Sequence, residues 1–449
     1  VDALTLRDTA KALATGTLTA TDHVRNVLAE LDALAGTPWE NIVAARHDEA
    51  ALESAARADT EIAAGNWIGP LHGVAVAIKD NIDVAGIPTR CGSDVFADAP
   101  PASRDARIVA DLREAGAIVV AKTHLHEFAY GPTGLVNAHG PAAHPHDPSL
   151  ISGGSSSGSA VLVARGLVPL AVGTDTGCSV RTPAALCGIA GFKPGHGALS
   201  VDGTFPLSTT FDHVGLLATD SLDASLAWGS LPGIAHLRSP VSGLRIGRLR
   251  GGIWDVDDPR ARASLDTACR TLAALGAHVV DVELPETDTL LEAYPVVTGS
   301  EAYETHRAVY ESNPGRYQPP TAALLAAQRD RTAHEYLHAL RTAERLRHTA
   351  LRRLRRSERL DALVTLTTAV RSAPATGDPT ELRAPLLERC IPFSVLGVPA
   401  ISVPAPDDGP NPVGLQVVGL TSGTGGHGSH PAESTALAVA LAVEGADEH

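Results

Sequence analysis

Apolar residues along this chain repeat at two spacings that alternate. Over residues 19–33 the spacing is helical, with Leu28 and Leu31 on one face. Thr19 or Thr21 stands where a hydroxyl can cap that helix by accepting from an otherwise unpaired backbone N–H. Val74–Ile78 is a short unbroken apolar run between glycine and charge, which predicts a buried strand whose end delivers Lys79. Residues 107–115 read as a helix closing at Gly116, and Ala117–Ala121 as the strand after it. A second helix-then-strand unit spans 258–284. There Asp258 caps, Pro259 takes the first helical position, Leu265, Cys269, Leu272 and Leu275 line one face, and Gly276 ends the helix. LREAGAIVV and LAALGAHVV look alike, but any helix-Gly-strand connection does, so they are not read as a repeat.

Residues 285–360 read as mainly helical, a lid or wall over whatever the rest builds. Within them Arg341–Arg359 carries eight arginines. Leu346, Leu351, Leu354 and Leu360 interleave at helical spacing, so the stretch predicts a solvated helix face with an apolar stripe rather than a polyanion site. From Ile391, PFSVLGVPAISVP and VGLQVVGL predict two strands separated by the turn PAPDDGPNP. SGTGGHGSHP predicts a surface loop, and Ala436–Val443 a terminal helix. Helices alternating with apolar strands predict an α/β sheet, with residues 1–449 as a single large domain.

Composition narrows the partners. A net charge of −15 repels phosphate backbones, so no nucleic acid partner is expected. Ala436–Val443, the longest apolar stretch near the C-terminus, is far short of the ~20 residues of a membrane helix, and no membrane association is expected. The opening VDALTLRDTA lacks a basic stretch followed by an apolar one, which makes a cytoplasmic address the expectation. Five cysteines without a C-x-x-C pair argue for reduced thiols rather than a disulfide framework or a cysteine-built zinc site.

Chemistry concentrates between Gly153 and Pro183, GGSSSGSAVLVARGLVPLAVGTDTGCSVRTP: a serine-loaded glycine loop, a helix, an apolar strand and a second glycine turn ending on serine. Ser155 and Ser179 lie twenty-four positions apart. A serine hydroxyl needs a nearby base to become a nucleophile. Lys79 can be that base, because burial disfavours its ammonium form. Ser155 suits a relay between them. In GTDTGCS, Gly173 and Gly177 allow unusual backbone angles, and a run of N–H groups there can form an anion nest. The backbone amides of Thr176, Gly177, Cys178 and Ser179 are therefore the candidate oxyanion donors.

These segments resemble the amidase signature family. The likeness covers GPLHGVAVAIKDNIDVAG, DLREAGAIVVAKTHLHEFAYG, the 153–183 block and CGIAGFKPGHGALSVDGTFPLSTTFDHVG, and extends weakly to PFSVLGVPAISVP and PVGLQVVG. It implies one large mixed β-sheet sandwiched between layers of helices, with core motifs in 69–220, a variable helical region at about 285–360, and a return to the sheet over 391–420. It implies a triad with Lys79 as base, Ser155 as relay on a cis peptide bond and Ser179 as nucleophile. The reaction implied is hydrolysis of a small amide, carbamate or urea-like substrate through an acyl-enzyme, with no metal and no cofactor. Ala129 and Tyr130 stand where related enzymes shape the acyl pocket. The assembly is left open, a homodimer included. Ala75, Ser157 and Cys178 depart from the common pattern; Cys178 either narrows the pocket and invites thiol reagents, or is a small buried hydrophobe.

Other readings compete for the same residues. GSSSG also satisfies G-x-S-x-G, with Ser156 as nucleophile and His196 or His213 as base, but that elbow needs a strand upstream and HPHDPSLI reads as loop. His124, His126, His139, His144 and His146 with Glu127 fit no zinc template. Asp175 and Arg181 are expected to brace the two glycine turns, and Asp80 and Asp212 to be structural. A catalytically dead binding protein of this fold would usually lose a triad member, and all three are present. The glutamine-dependent tRNA amidotransferases have a chain that shares the triad, but FPLSTTFDHVG looks more like a stand-alone amidase.

Overall fold

The structure is a computed structural model, and it describes residues 4–234, 240–405, 413–421 and 431–445. Its centre is an eleven-stranded sheet. In chain order the strands are β1 (Val43–Ala45), β2 (Ala75–Lys79), β3 (Ile118–Thr123), β4 (Leu170–Thr174), β5 (Ala190–Lys193) and β6 (Val214–Ala218). They continue as β7 (Arg245–Leu249), β8 (His278–Val282), β9 (Ala362–Leu366), β10 (Ala400–Pro404) and β11 (Gly414–Gly419). Across the sheet they run β1-β3-β2-β4-β6-β5-β10-β11-β9-β7-β8. Strands β3, β2 and β4 are mutually parallel, as are β9, β7 and β8, while the pairs between these two groups are antiparallel. The sheet is thus mixed, as the family resemblance implies.

Strands β2, β3, β4, β6 and β9 are buried at every position, which is why they read as continuous apolar runs rather than alternating ones. Successive residues still part to opposite faces. Val417 on β11 joins one apolar cluster with the N-terminal helices, whereas Val418 joins another with helices Thr287–Ser312 and Ala333–Arg352. The second cluster also takes in Cys178, in the second glycine turn.

Local signals set most of the helices. Thr19, not Thr21, caps helix Ala20–Asp32 by accepting from the Asp22 amide. Asp258 caps helix Pro259–Ala274 with Pro259 in its first turn. Leu275 departs from the expected apolar stripe: it falls just past the helix end and is 49% exposed. The arginine-rich stretch is helical to Arg352 and continues through a π turn, Arg353–Ser357, with Leu346 and Leu354 buried. Leu360 is buried too, but it follows Arg359 at φ +55° and belongs to the lead into β9 rather than to the helix.

One expected strand divides. Ile391–Val395 is a helix, and only Ala400–Pro404 is a strand. Pro392 in the first turn and Gly397 at φ +69° frame that helix, and a short run that is apolar throughout does not distinguish a buried helix from a buried strand. The terminal helix is Pro431–Glu444. The turn PAPDDGPNP beyond Ala405 and nearly all of SGTGGHGSHP lie outside the described residues. Among the described residues no helix is long and apolar enough to cross a membrane.

Candidate active site

Strands β2 and β4 are parallel neighbours, so their C-terminal ends stand side by side, the usual place for a site in an α/β sheet. Lys79 ends β2 and Thr174 ends β4. Lys79 is fully buried, and its Nζ donates to Ser155 Oγ at 2.7 Å and to Thr174 Oγ1 at 2.7 Å. Asn81 Nδ2 donates to the same Thr174 hydroxyl at 3.2 Å and fixes its direction. Burial pushes the Lys79 ammonium down to about 7, against the opposing pull of the Asp175 and Asp212 carboxylates.

The serine loop reaches this lysine from across the sheet end. The Gly154–Ser155 peptide is cis, and Ser155 is fully buried. Its carbonyl accepts from the His126 amide at 3.1 Å. The next amide, Ser156 N, donates to Ser179 O at 3.1 Å, so the two serine-bearing turns are stitched together within one residue of each candidate. The Ser156 hydroxyl donates to Thr174 O at 3.2 Å. Gly173 makes that contact sterically feasible, because a Cβ there would lie 2.5 Å from Ser156 Oγ.

Beyond β4 the turn Asp175–Arg181 is held from inside. Arg181 and Asp175 are fully buried and paired through Nε to Oδ2 at 3.0 Å and Nη2 to Oδ1 at 2.9 Å. Burial alone would raise the Asp175 carboxyl, but the Arg181 guanidinium holds it below the usual range. Arg181 also donates to Gly177 O at 2.9 Å, to Ser394 Oγ at 2.8 Å and to Gln416 Oε1 at 2.7 Å. The pair therefore braces the second glycine turn against the C-terminal strands; the link to the first turn is made by backbone instead. Among the described residues, no acceptor takes the main-chain amides of Thr176, Gly177, Cys178 and Ser179.

One expectation for this turn changes, and one open alternative is decided. Neither Gly173 nor Gly177 adopts a positive φ. Both are glycine for space, since a Cβ on Gly177 would collide with the Tyr294 hydroxyl and lie 3.1 Å from Leu387 Cδ2. Cys178 is fully buried in an apolar cluster with Phe211, Tyr294 and Leu387, and burial raises its thiol far above the ordinary range. It behaves as a small hydrophobe, not an exposed nucleophile.

Comparison with known proteins settles the class. The Amidase family model matches residues 25–423. The chain belongs to the amidase signature family. It is accordingly a hydrolase of carbon–nitrogen bonds. AtzE of Pseudomonas sp. (strain ADP), a chain of 1-carboxybiuret hydrolase, is 35% identical, over 72% of this chain and 76% of that protein. The A chain of the glutamyl-tRNA(Gln) amidotransferase of Acidothermus cellulolyticus is 34% identical, over 82% of each. A crystal structure of an amidase superposes with a TM-score of 0.85 at 32% identity, covering 98% of this chain and 99% of that one.

In this amidase-signature chain the loop 126–130 borders the serine loop through the His126–Ser155 bond. Phe128 and Ala129 sit at φ +51° and +59°, left-handed angles that cost a residue with a side chain roughly 1–3 kcal/mol each. Glu127 holds them there by accepting from Ser93 Oγ at 2.6 Å and Gln318 N at 3.0 Å. Tyr130, buried, lies under the Arg383 guanidinium, 5.5 Å from ring centroid to Cζ.

The rival residues are engaged elsewhere. Ser156 follows a loop, not a strand, and its hydroxyl is committed to Thr174. His213 is buried, with Nδ1 on Phe211 O at 2.6 Å, and burial pushes its imidazole well below the usual range. His124 faces Gly140 O at 2.9 Å and His144 faces Leu186 O at 3.0 Å. Among the described residues no group of three or more His, Cys, Asp or Glu side chains could hold a metal ion. Asp80 pairs with the buried Lys122 at 2.9 Å. Asp212 is more than filler: its Oδ1 accepts from Thr176 Oγ1 at 2.5 Å and its Oδ2 from the amides of Leu207 and Ser208, which ties the candidate oxyanion turn to the following loop. Sequence reading missed Thr174, Asn81, Tyr294 and Arg383. Thr174 carried a signal, a hydroxyl closing an otherwise apolar strand; the last two lie outside every motif.

Proposed function

We propose that the protein hydrolyses the carbonyl C–N bond of a small amide, carbamate or urea-like molecule through an acyl-enzyme on Ser179. The observation that carries this is the 2.7 Å bond from a fully buried lysine to Ser155, one residue from the backbone link to Ser179. In the neutral form, Lys79 Nζ accepts the Ser155 proton as Ser155 Oγ accepts the proton of Ser179. Ser179 Oγ bonds to the substrate carbonyl carbon, and the carbonyl oxygen takes negative charge under the amides of Thr176, Gly177 and Cys178. The proton returns by the same route to the leaving nitrogen as the C–N bond breaks. Water then repeats the attack on the ester, frees the acid and restores Ser179.

The reading extends to Ala129 and Tyr130 as one wall of the acyl pocket, with Tyr294 opposite. Strands from residue 43 to residue 419 share one sheet, which supports residues 1–449 working as a single domain. The five free cysteines, all buried, suit a reducing cytoplasm. Fluorophosphonate labelling followed by peptide mapping, together with ammonia or amine release from an amide, carbamate and urea panel, tests the proposal. Label on a residue other than Ser179 sinks it.

A second reading rests on the relatives named as chains of tRNA amidotransferases. It requires partner chains and glutamine. Co-purification with partners, and glutamine turnover that depends on them, would favour it over a stand-alone hydrolase.

A further inference from the structure

Helix Arg383–Leu387 stands with one end on the candidate oxyanion turn. Leu387 packs on Gly177, its Cδ2 3.1 Å from where a Cβ would stand. Arg383 lies four residues earlier, hence on the same helix face and roughly 6 Å further along it. Its Nη1 donates to Tyr130 O at 3.1 Å, and the guanidinium lies over the Tyr130 ring. That accounts for one of five N–H donors. The side chain is half-buried, and among the described residues no carboxylate pairs with it.

Its charge is felt around the site. Burial pushes the Tyr130 and Tyr294 phenols up, and in both the Arg383 cation is the largest opposing influence. Burial holds His126 down at about 3, and after burial Arg383 is again the largest influence. Two other charges nearby are paired. Asp175 is paired with Arg181, and Arg331, which also acts on Tyr130, has Glu335 at 3.6 Å and Gln328 Oε1 at 3.1 Å. Arg383 is thus a half-buried cation with no carboxylate partner among the described residues, one helical turn from the turn that would hold the reacting carbonyl.

We infer that Arg383 anchors a carboxylate on the acyl part of the substrate, so that the enzyme selects short anionic amides over neutral ones. The inference rests on the hydrolase reading above and deepens it. The cation comes from outside the motif blocks, a segment about two hundred residues from Ser179 in sequence. A planar guanidinium matches a carboxylate through two parallel N–H···O bonds, which a neutral amide cannot accept equally.

The test is protection of Ser179 from a fluorophosphonate by malonate, succinate and glutarate, each set against its uncharged diamide. In wild type the best diacid should protect at about thirtyfold lower concentration than its diamide, the scale of a charge-assisted pair. In Arg383→Gln the ratio should fall to within about threefold of one, and in Arg383→Lys it should recover in part, because the charge returns without the fork. Each protein is referred to its own labelling without ligand, so a general loss of reactivity does not imitate the effect. Equal protection by acid and diamide in wild type overturns the inference, as does an unchanged ratio in Arg383→Gln. Absence of label on Ser179 with every ligand omitted overturns the hydrolase reading instead.

Discussion

Lys79 and Lys193 end two strands of one sheet, and both are wholly buried. Desolvation pushes both ammonium groups down to about 7. Their surroundings differ. Lys79 faces the hydroxyls of Ser155 and Thr174, whereas Lys193 faces the carbonyls of Val398 at 2.7 Å and Pro194 at 3.1 Å. A hydroxyl both accepts and donates, so it can pass a proton to a neutral amine; a carbonyl only accepts. Equal burial therefore yields a relay at β2 and a clamp at β5. A displaced lysine pKa does not by itself mark a site; the chemistry of the nearest two atoms decides.

The strongest way to break the comparison is to remove each nitrogen. Lys79→Ala and Ser179→Ala should each lower kcat/KM by roughly 10⁴-fold or more, and Ser155→Ala nearly as far, since members of a catalytic set fail together. Far-ultraviolet circular dichroism should stay unchanged. Lys193→Met should instead keep kcat/KM within about tenfold of wild type. A folded Lys193→Met protein as inactive as Lys79→Ala would erase the distinction between relay and clamp.

The next largest effect lies under the oxyanion turn. Arg181→Met leaves Asp175 charged, buried and unpaired, and removes the donors to Gly177 O, Ser394 Oγ and Gln416 Oε1. Losing one partner of such a pair costs about 3–5 kcal/mol, read as a lower midpoint in urea unfolding. A midpoint within error of wild type would mean that this brace contributes little.

How far the site could be read ahead of the structure follows from sequence distance. Lys79 at the end of an apolar run, and two serines on glycine turns bracketing one helix and one strand, are local patterns, and they carried the candidate triad. Partners that the fold supplies from afar were invisible: Gln416 reaches Arg181 across 235 residues, and Tyr294 reaches Gly177 from a helix without a motif. Glycine misled in a further way. Gly173 and Gly177 suggest torsional freedom in one dimension, whereas their cause is crowding by Ser156 and Tyr294 in three. The same limit explains Ile391–Val395, where apolar content alone left helix and strand undivided.

A pH profile sharpens the contrast without mutating the relay. Lys79 must be neutral to accept a proton, and with its ammonium held at about 7 the charged form dominates below that value. Log kcat/KM should fall by about one per pH unit below 7 and level off above it. Burial raises the Asp212 carboxyl to about 6, so below that pH it gains a proton and one oxygen stops accepting from Thr176 or the loop amides. The slope should then steepen toward two. Lys193→Met should leave the midpoint near 7, because a clamp titrates without entering the rate. A flat profile to pH 5 would remove lysine as the base.

Lys193→Met should show itself in stability. Its loss leaves Val398 O and Pro194 O without their buried donor, a cost of about 1–3 kcal/mol. The sign is set by which term wins: a neutral or stabilising result would mean that the desolvation of Lys193 outweighs its two hydrogen bonds.

The smallest effect belongs to Cys178, beside the nucleophile in sequence yet buried in an apolar cluster. Its side chain is fully buried among Phe211, Tyr294 and Leu387, and its Sγ lies a weak 3.9 Å from the Gly154 carbonyl. Cys178→Ala removes one sulfur from that cluster, a cost of roughly 1 kcal/mol, and should leave kcat/KM within about threefold. Because burial also raises the thiol, the native enzyme should withstand iodoacetamide at neutral pH over the course of an assay. Rapid inactivation that Cys178→Ala abolishes would show the turn opening far enough to expose this sulfur. It would then be the dynamics of the Asp175–Arg181 turn, rather than its packing, that separates β4 from the clamp at β5.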